Sequence, residues 1–130
     1  MTDRELINLA KCAAKNSYSP YSRFPVGAAL ECADGTVISG CNIECAALSC
    51  TICAERTALC KAVSAGHRHF RRIAIYSDSN NYCTPCGVCR QMLSEFSPSM
   101  EVLCVRSDGR YVSYKLKDLL PESFGKEFLE

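Results

Sequence analysis

The chain has 130 residues, 48% of them hydrophobic and 22% charged, with 15 Lys+Arg against 14 Asp+Glu. That length suits one compact domain, and the apolar content excludes intrinsic disorder. A formal net charge of +1 supplies no basic field for nucleic acid or an anionic membrane, and no apolar run approaches the roughly 18 residues of a membrane span.

The opening residues Met1-Thr2-Asp3-Arg4-Glu5 carry no apolar signal core. The expectation is therefore a soluble, cytoplasmic, single domain over residues 1–130. Leu6, Ile7, Leu9, Ala10, Ala13 and Ala14 recur at helical spacing within residues 3–17, and Ser19-Pro20-Tyr21-Ser22 ends that helix in a turn. Strands follow at 26–32 and 36–41, joined at Asp34-Gly35, a two-residue hairpin signal. Residues 42–49 read as a loop. Residues 52–65 are rich in Ala and Leu and stop at Gly66, which predicts a second helix.

A short apolar strand at 71–77 leads to a loop at Asn80-Asn81. Thr84-Pro85 then offers an N-cap and a first helical residue for a third helix running through Phe96. Strands at 101–105 and 110–114 flank a second Asp-Gly turn, and a short helix around 117–120 precedes Pro121. This α-β-β-α-β-α-β-β-α order predicts an α/β/α sandwich around a five-stranded mixed sheet.

Eleven cysteines in such a chain demand an explanation. An odd count without an export signal argues against a disulfide scaffold. Cys12, Cys32, Cys60 and Cys104 lie in apolar or amphipathic stretches and read as small buried hydrophobes. Two other groups carry chemistry. Cys53-Ala54-Glu55 opens the second predicted helix and Pro85-Cys86-Gly87-Val88-Cys89 the third. Cys86 and Cys89, three residues apart, share one helix face. A helix start favours thiolate, and thiolate is the form that binds zinc.

Three thiolates leave a tetrahedral zinc one corner for water, with Glu55 beside it as a general base and then a general acid. Three anionic sulfurs also leave excess negative charge, which the helix starts and Arg56, or less directly Arg90, can offset; Arg56 is expected to donate to a ligand sulfur. Alternatives use the same cysteines. Cys50 or Cys83 could close a structural four-sulfur site, although 32 residues separate Cys53 from Cys86 where such pairs ordinarily lie roughly 15–20 apart. Cys86-Gly87-Val88-Cys89 also has the form of a dithiol redox pair, and Cys83-x-x-Cys86-x-x-Cys89 of an iron–sulfur run lacking its further Cys-Pro. None of these makes use of Glu55. The only histidines, His67 and His69, read as surface residues.

Cys53-Ala54-Glu55-Arg56 followed by Pro85-Cys86-Gly87-Val88-Cys89-Arg90-Gln91 resembles the zinc-dependent nucleoside deaminases, above all the small homotetrameric cytidine deaminases. Tyr18-Ser19-Pro20-Tyr21-Ser22-Arg23-Phe24-Pro25-Val26-Gly27-Ala28 is similar to the family's beginning, and Leu119-Leu120-Pro121-x-x-Phe124 to its end. The resemblance implies Zn²⁺ on Cys53, Cys86 and Cys89, with activated water attacking C4 of cytosine. Glu55 would protonate N3 and then the departing amino group, so that cytidine or deoxycytidine gives uridine or deoxyuridine and ammonia in pyrimidine salvage.

It also implies that Asn42 and Glu44 bind the ribose hydroxyls and that Phe24 packs on the pyrimidine. The loop around Ala46, and Phe124, would reach the substrate from neighbouring subunits of a homotetramer. Leu48 departs from the family, where Tyr is common. Outside the resemblance, Phe24 would read as a core aromatic, Asn42 and Glu44 as solvated loop residues, and Phe124 as an anchor for the last helix. Two further readings stay open: a deaminase of another aminopyrimidine, and a non-enzymatic zinc module closed by a fourth cysteine.

Overall fold

The computed structural model describes residues 1–129. Its elements in chain order are α1 (Asp3–Ala14), β1 (Val26–Cys32), β2 (Val37–Cys41), α2 (Ala54–Ser64), β3 (Phe70–Ser77), α3 (Gly87–Phe96), β4 (Glu101–Val105), β5 (Tyr111–Lys115) and α4 (Leu116–Leu119). Short 3₁₀ turns at Leu48–Cys50 and Lys126–Phe128 complete them. The five strands form one sheet in the order β2-β1-β3-β4-β5, antiparallel except between β3 and β4. That single parallel pair is joined through α3, the strand–helix–strand unit that the sequence predicts.

Alternation along the strands divides the core into two layers. Ala28, Leu30, Ile73, Ile75, Val102 and Cys104 face α2, α3 and α4. Ala29, Ala74, Tyr76, Leu103 and Val105 face α1 through Leu6, Ile7, Ala10 and Ala14. Every residue of β1 is buried because the strand is covered on both faces and paired on both edges. The result is the predicted α/β/α sandwich.

Glycine sets how closely the helices approach. A Cβ on Gly27 would stand 2.0 Å from the Ala10 carbonyl oxygen, and one on Gly40 would stand 2.6 Å from the Ala58 nitrogen and 2.9 Å from the Ala54 oxygen. Gly40 thus lets the first turns of α2 rest directly on β2.

Most predicted bounds agree with the structure to within a residue or two, and the differences have local causes. α1 stops at Ala14 rather than 17, ending in turns in which the Lys15, Asn16 and Ser17 N–H groups bond the last helical carbonyls. α2 begins at Ala54 rather than 52, because Ile52 pairs in an isolated bridge with Ile43, which bridges in turn to Tyr18. The predicted loop is therefore pinned at both ends. α3 begins at Gly87, with Cys86 as its N-cap rather than Thr84. Thr84 and Pro85 both stay in the loop, and the first helical turn starts two residues later than the Thr-Pro pair suggests. Cys12 and Cys60, expected inside, are exposed, whereas Cys32 and Cys104 are buried; all eleven cysteines are free thiols.

Candidate active site

Register places three loops at one edge of the sheet. Gly27 pairs with Cys41 and Val26 with Ser77, so the start of β1, the end of β2 and the end of β3 lie side by side. The segments before β1, after β2 and after β3 converge there on a cavity of about 280 Å³, lined among others by Phe24, Asn42, Glu44, Cys53, Glu55 and Cys86.

Cys53 and Cys86 are the N-caps of α2 and α3, with extended backbone (ψ 154° and 166°) and no side-chain bond to the helix. Ser, Thr, Asp or Asn ordinarily fill this position to satisfy a free N–H. Here the thiols turn away from that task and toward one another. Cys53 Sγ lies 3.7 Å from Cys86 Sγ, and Cys86 Sγ 3.5 Å from Cys89 Sγ. All three sulfurs fall within 4.8 Å of one another. Sulfurs about 2.3 Å from a tetrahedral zinc stand about 3.8 Å apart, so the set fits the ion. Among the described residues neither Cys50 nor Cys83 joins this cluster.

The charge around the sulfurs is arranged to match. Cys53 is drawn down to about 5, first by its contact with the Cys89 thiol and then, against the opposing effect of burial, by the Arg56 guanidinium. Cys89, through its contact with the Cys53 sulfur and then its burial, goes the other way. The same contacts that lower Cys53 favour the thiolate form that a metal ion requires. Arg56 Nη2 lies 3.7 Å from Cys53 Sγ and donates to the Thr51 carbonyl at 3.2 Å.

Glu55, in the first turn of α2, is 4% exposed, and burial pushes its carboxyl up to about 7. A carboxyl poised near neutrality can both take and give a proton.

The polar residues of the opposite wall are built into the loops. Asn42 Oδ1 accepts from the Val26 N–H at 2.9 Å and from the Ser17 hydroxyl, while its Nδ2 donates to the Phe24 carbonyl at 2.8 Å. The amide therefore fixes the backbone on both sides of Pro25 and keeps one N–H free for the cavity. Glu44 Oε1 accepts from the N–H groups of Tyr21 (2.9 Å) and Ser22 (3.0 Å), and Oε2 accepts from the Ser22 hydroxyl. The Ser22 hydroxyl is the first cause holding Glu44 below the ordinary carboxyl value.

Phe24 is 42% exposed at the cavity mouth, so it is not a core aromatic. Asn42 is buried rather than solvated. Ala46 is exposed and outside the cavity lining, and Phe124 lies away from it, stacked on Phe128 at 5.2 Å. Ser17 and Thr51 escaped the sequence reading, and Ser22 appeared there only as part of a turn and a motif, with no role. Their only signal was proximity to the Tyr18–Ala28 motif and to Cys53, and hydroxyls are common in loops.

Three convergent sulfurs with a buried carboxyl beside them, at the wall of one cavity, are the donor set of a zinc-dependent hydrolytic centre. A family model described as "Cytidine and deoxycytidylate deaminase zinc-binding region" matches residues 1–105. Cytidine deaminase of Sporosarcina psychrophila is 47% identical over 130 residues, covering 99% of this chain and 96% of that one. Cytidine deaminase of Halalkalibacterium halodurans is 45% identical over 127 residues, 96% of each chain. The crystal structure of cytidine deaminase from Burkholderia pseudomallei superposes with a TM-score of 0.93 at 43% identity, covering 95% of this chain and 100% of that one. The chain belongs to the cytidine and deoxycytidylate deaminase family.

Proposed function

We propose that the chain is an enzyme that hydrolytically deaminates cytidine and deoxycytidine to uridine and deoxyuridine plus ammonia, in pyrimidine salvage, with residues 1–130 acting as one domain. The observation that carries this is the buried carboxyl of Glu55 set between three converging sulfurs and a cavity of nucleoside scale. Cys53, Cys86 and Cys89 would hold Zn²⁺, which would supply the Lewis acidity that makes water a nucleophile near neutral pH. Glu55 takes one proton from the attacking water and gives it to N3 as C4 is attacked, then takes the second from the new C4 hydroxyl and gives it to the departing amino group. Arg56 offsets the negative charge of the sulfurs through Cys53. Phe24 packs on the pyrimidine, and Asn42 and Glu44 meet the ribose hydroxyls with one N–H and the remaining carboxylate lone pairs.

The lining favours a nucleoside over a nucleotide. It contains no Lys or Arg and does contain the Glu44 carboxylate, which would repel a phosphate. Free thiols at all eleven cysteines support a reducing, cytoplasmic setting, and no described helix is long and apolar enough to cross a membrane.

Leu48 (71%), Phe124 (55%) and Phe128 (65%) expose large apolar surfaces. This supports a homotetramer in which the loop around Ala46, and Phe124, complete a neighbour's site. Incubation with cytidine, followed by loss of the cytosine absorbance before and after chelation of the metal, tests the function. Turnover abolished by chelation and restored by zinc is the expected result; no turnover of cytidine or deoxycytidine by the zinc-loaded protein refutes it.

A further inference from the structure

A second set of metal-capable side chains meets at the other end of α2. Cys32 closes β1, Asp34 sits in the β1–β2 turn, and His67 follows the last turn of the helix. Their sulfur, carboxylate oxygen and ring nitrogen all lie within 4.8 Å of one another. His67 Nδ1 stands 3.9 Å from Asp34 Oδ2. Nothing in the deaminase chemistry uses any of the three.

Backbone bonds hold each donor in place. Asp34 Oδ1 accepts from the Thr36 N–H at 2.9 Å, which leaves Oδ2 for His67. The Cys32 N–H donates to the Thr36 carbonyl at 2.8 Å, and its own carbonyl accepts from the Gly35 N–H at 2.9 Å. The His67 N–H donates to the Ala62 carbonyl at 3.0 Å, and Arg68 Nη1 donates to the His67 carbonyl at 2.9 Å. The Ala33 N–H donates to the His69 carbonyl at 2.9 Å, tying the hairpin turn to the segment that carries His67. Ligands fixed in this way need only small side-chain rotations to close on an ion.

The donor set chooses the ion. One thiol, one imidazole and one carboxylate suit a borderline divalent metal of the zinc type, whereas magnesium and calcium call for oxygen throughout. Cys32 is fully buried at the base, while the side chains of His67 and Asp34 are 23% and 60% exposed, so an ion enters from solvent between them.

We propose that Cys32, Asp34 and His67 form a second divalent transition-metal site, with solvent completing the coordination. Binding forms bonds from the ion to Sγ, a ring nitrogen and a carboxylate oxygen. The thiol proton leaves to water, and no oxidation is involved. The ion clips the β1–β2 turn to the end of α2, and Cys53 caps that helix at its start, so the two sites stand at opposite ends of one helix of 11 residues, roughly 16 Å long. The second clip stabilises the fold in proportion to its occupancy and leaves the catalytic sulfurs untouched.

The test uses the holoenzyme with its catalytic zinc in place, equilibrated with Co²⁺ and analysed for metal content, visible absorption and thermal midpoint. A second equivalent per chain, a thiolate-to-cobalt charge-transfer band and a raised midpoint are expected. His67→Gln and Asp34→Asn, both at accessible positions, should lose all three responses while retaining the first equivalent and wild-type deamination. The proposal is overturned if the wild type takes up no second equivalent, if the uptake lacks the thiolate band, or if both variants keep it.

Discussion

Gly40 joins the fold to the chemistry, and replacing it with alanine isolates that link. The added Cβ would lie 2.6 Å from the Ala58 nitrogen, a shortfall of about 0.8 Å against an ordinary contact of 3.4 Å, and also 2.9 Å from the Ala54 oxygen. Both opposing atoms are helix backbone, so no side chain can swing aside. α2 must lift off β2, and Cys53 at its N-cap and Glu55 in its first turn move with it. Overpacking of this kind costs about 1–3 kcal/mol, which for a chain of this size lowers the thermal midpoint by roughly 4–11 °C. A displacement approaching 1 Å at a reacting group costs on the order of 10²-fold in rate. Gly40→Ala is therefore expected to lose about that much kcat/KM on cytidine at a temperature where it is still folded, as judged by circular dichroism. A folded Gly40→Ala protein with wild-type kcat/KM and an unchanged midpoint would refute the reasoning that this contact places the catalytic carboxyl.

Arg72 binds Glu31 through Nε at 2.8 Å and also reaches Asp3 and the Met1 carbonyl, tying α1 to the sheet. Arg72→Met leaves Glu31, 5% exposed, without its partner and is expected to cost about 3 kcal/mol in urea denaturation at pH 7. The Arg72 bond holds Glu31 below its ordinary 4.5. Its contribution is thus complete above pH 4.5 and disappears as pH falls through the lowered value, so the variant's stability should show a shallower acid limb than the wild type. Arg56→Ala removes the guanidinium from Cys53 and should weaken zinc binding by roughly 10–100-fold in a chelator competition. Cys83→Ser should keep its tightly bound zinc and turn over cytidine, because burial pushes the Cys83 thiol up to about 11 and leaves it inert; loss of the metal would show that it is a ligand.

The sheet was legible because its signals are local. Two Asp-Gly turns and the apolar runs around them locate β1 and β4 to the residue and the other strands to within one. The helix starts that hold the sulfurs were less legible. Propensity expects Thr84 as a cap and Pro85 inside the helix, whereas Cys86 occupies the cap because its sulfur faces its counterparts across 33 and three residues of chain.

Composition could not show that Asn42 is a buried staple between Phe24 and Val26, since its partners are backbone groups brought together only by the fold. The burial of Cys32 followed from its strand, yet its meeting with His67 did not. That meeting depends on the β1–β2 turn lying beside the end of α2, which no local pattern encodes. Cys12 and Cys60 show the opposite failure: their helices are amphipathic as read, but these two thiols stand on the outer faces.

The central claim is a division of labour in which sulfur holds the ion and Glu55 moves the protons. Zinc content and cytidine turnover measured together on Glu55→Gln test it most directly. The expected result is zinc bound at Cys53, Cys86 and Cys89 as in the wild type, with turnover lower by at least roughly 10²–10⁴-fold. A variant that binds zinc fully and deaminates cytidine at the wild-type rate would contradict the account.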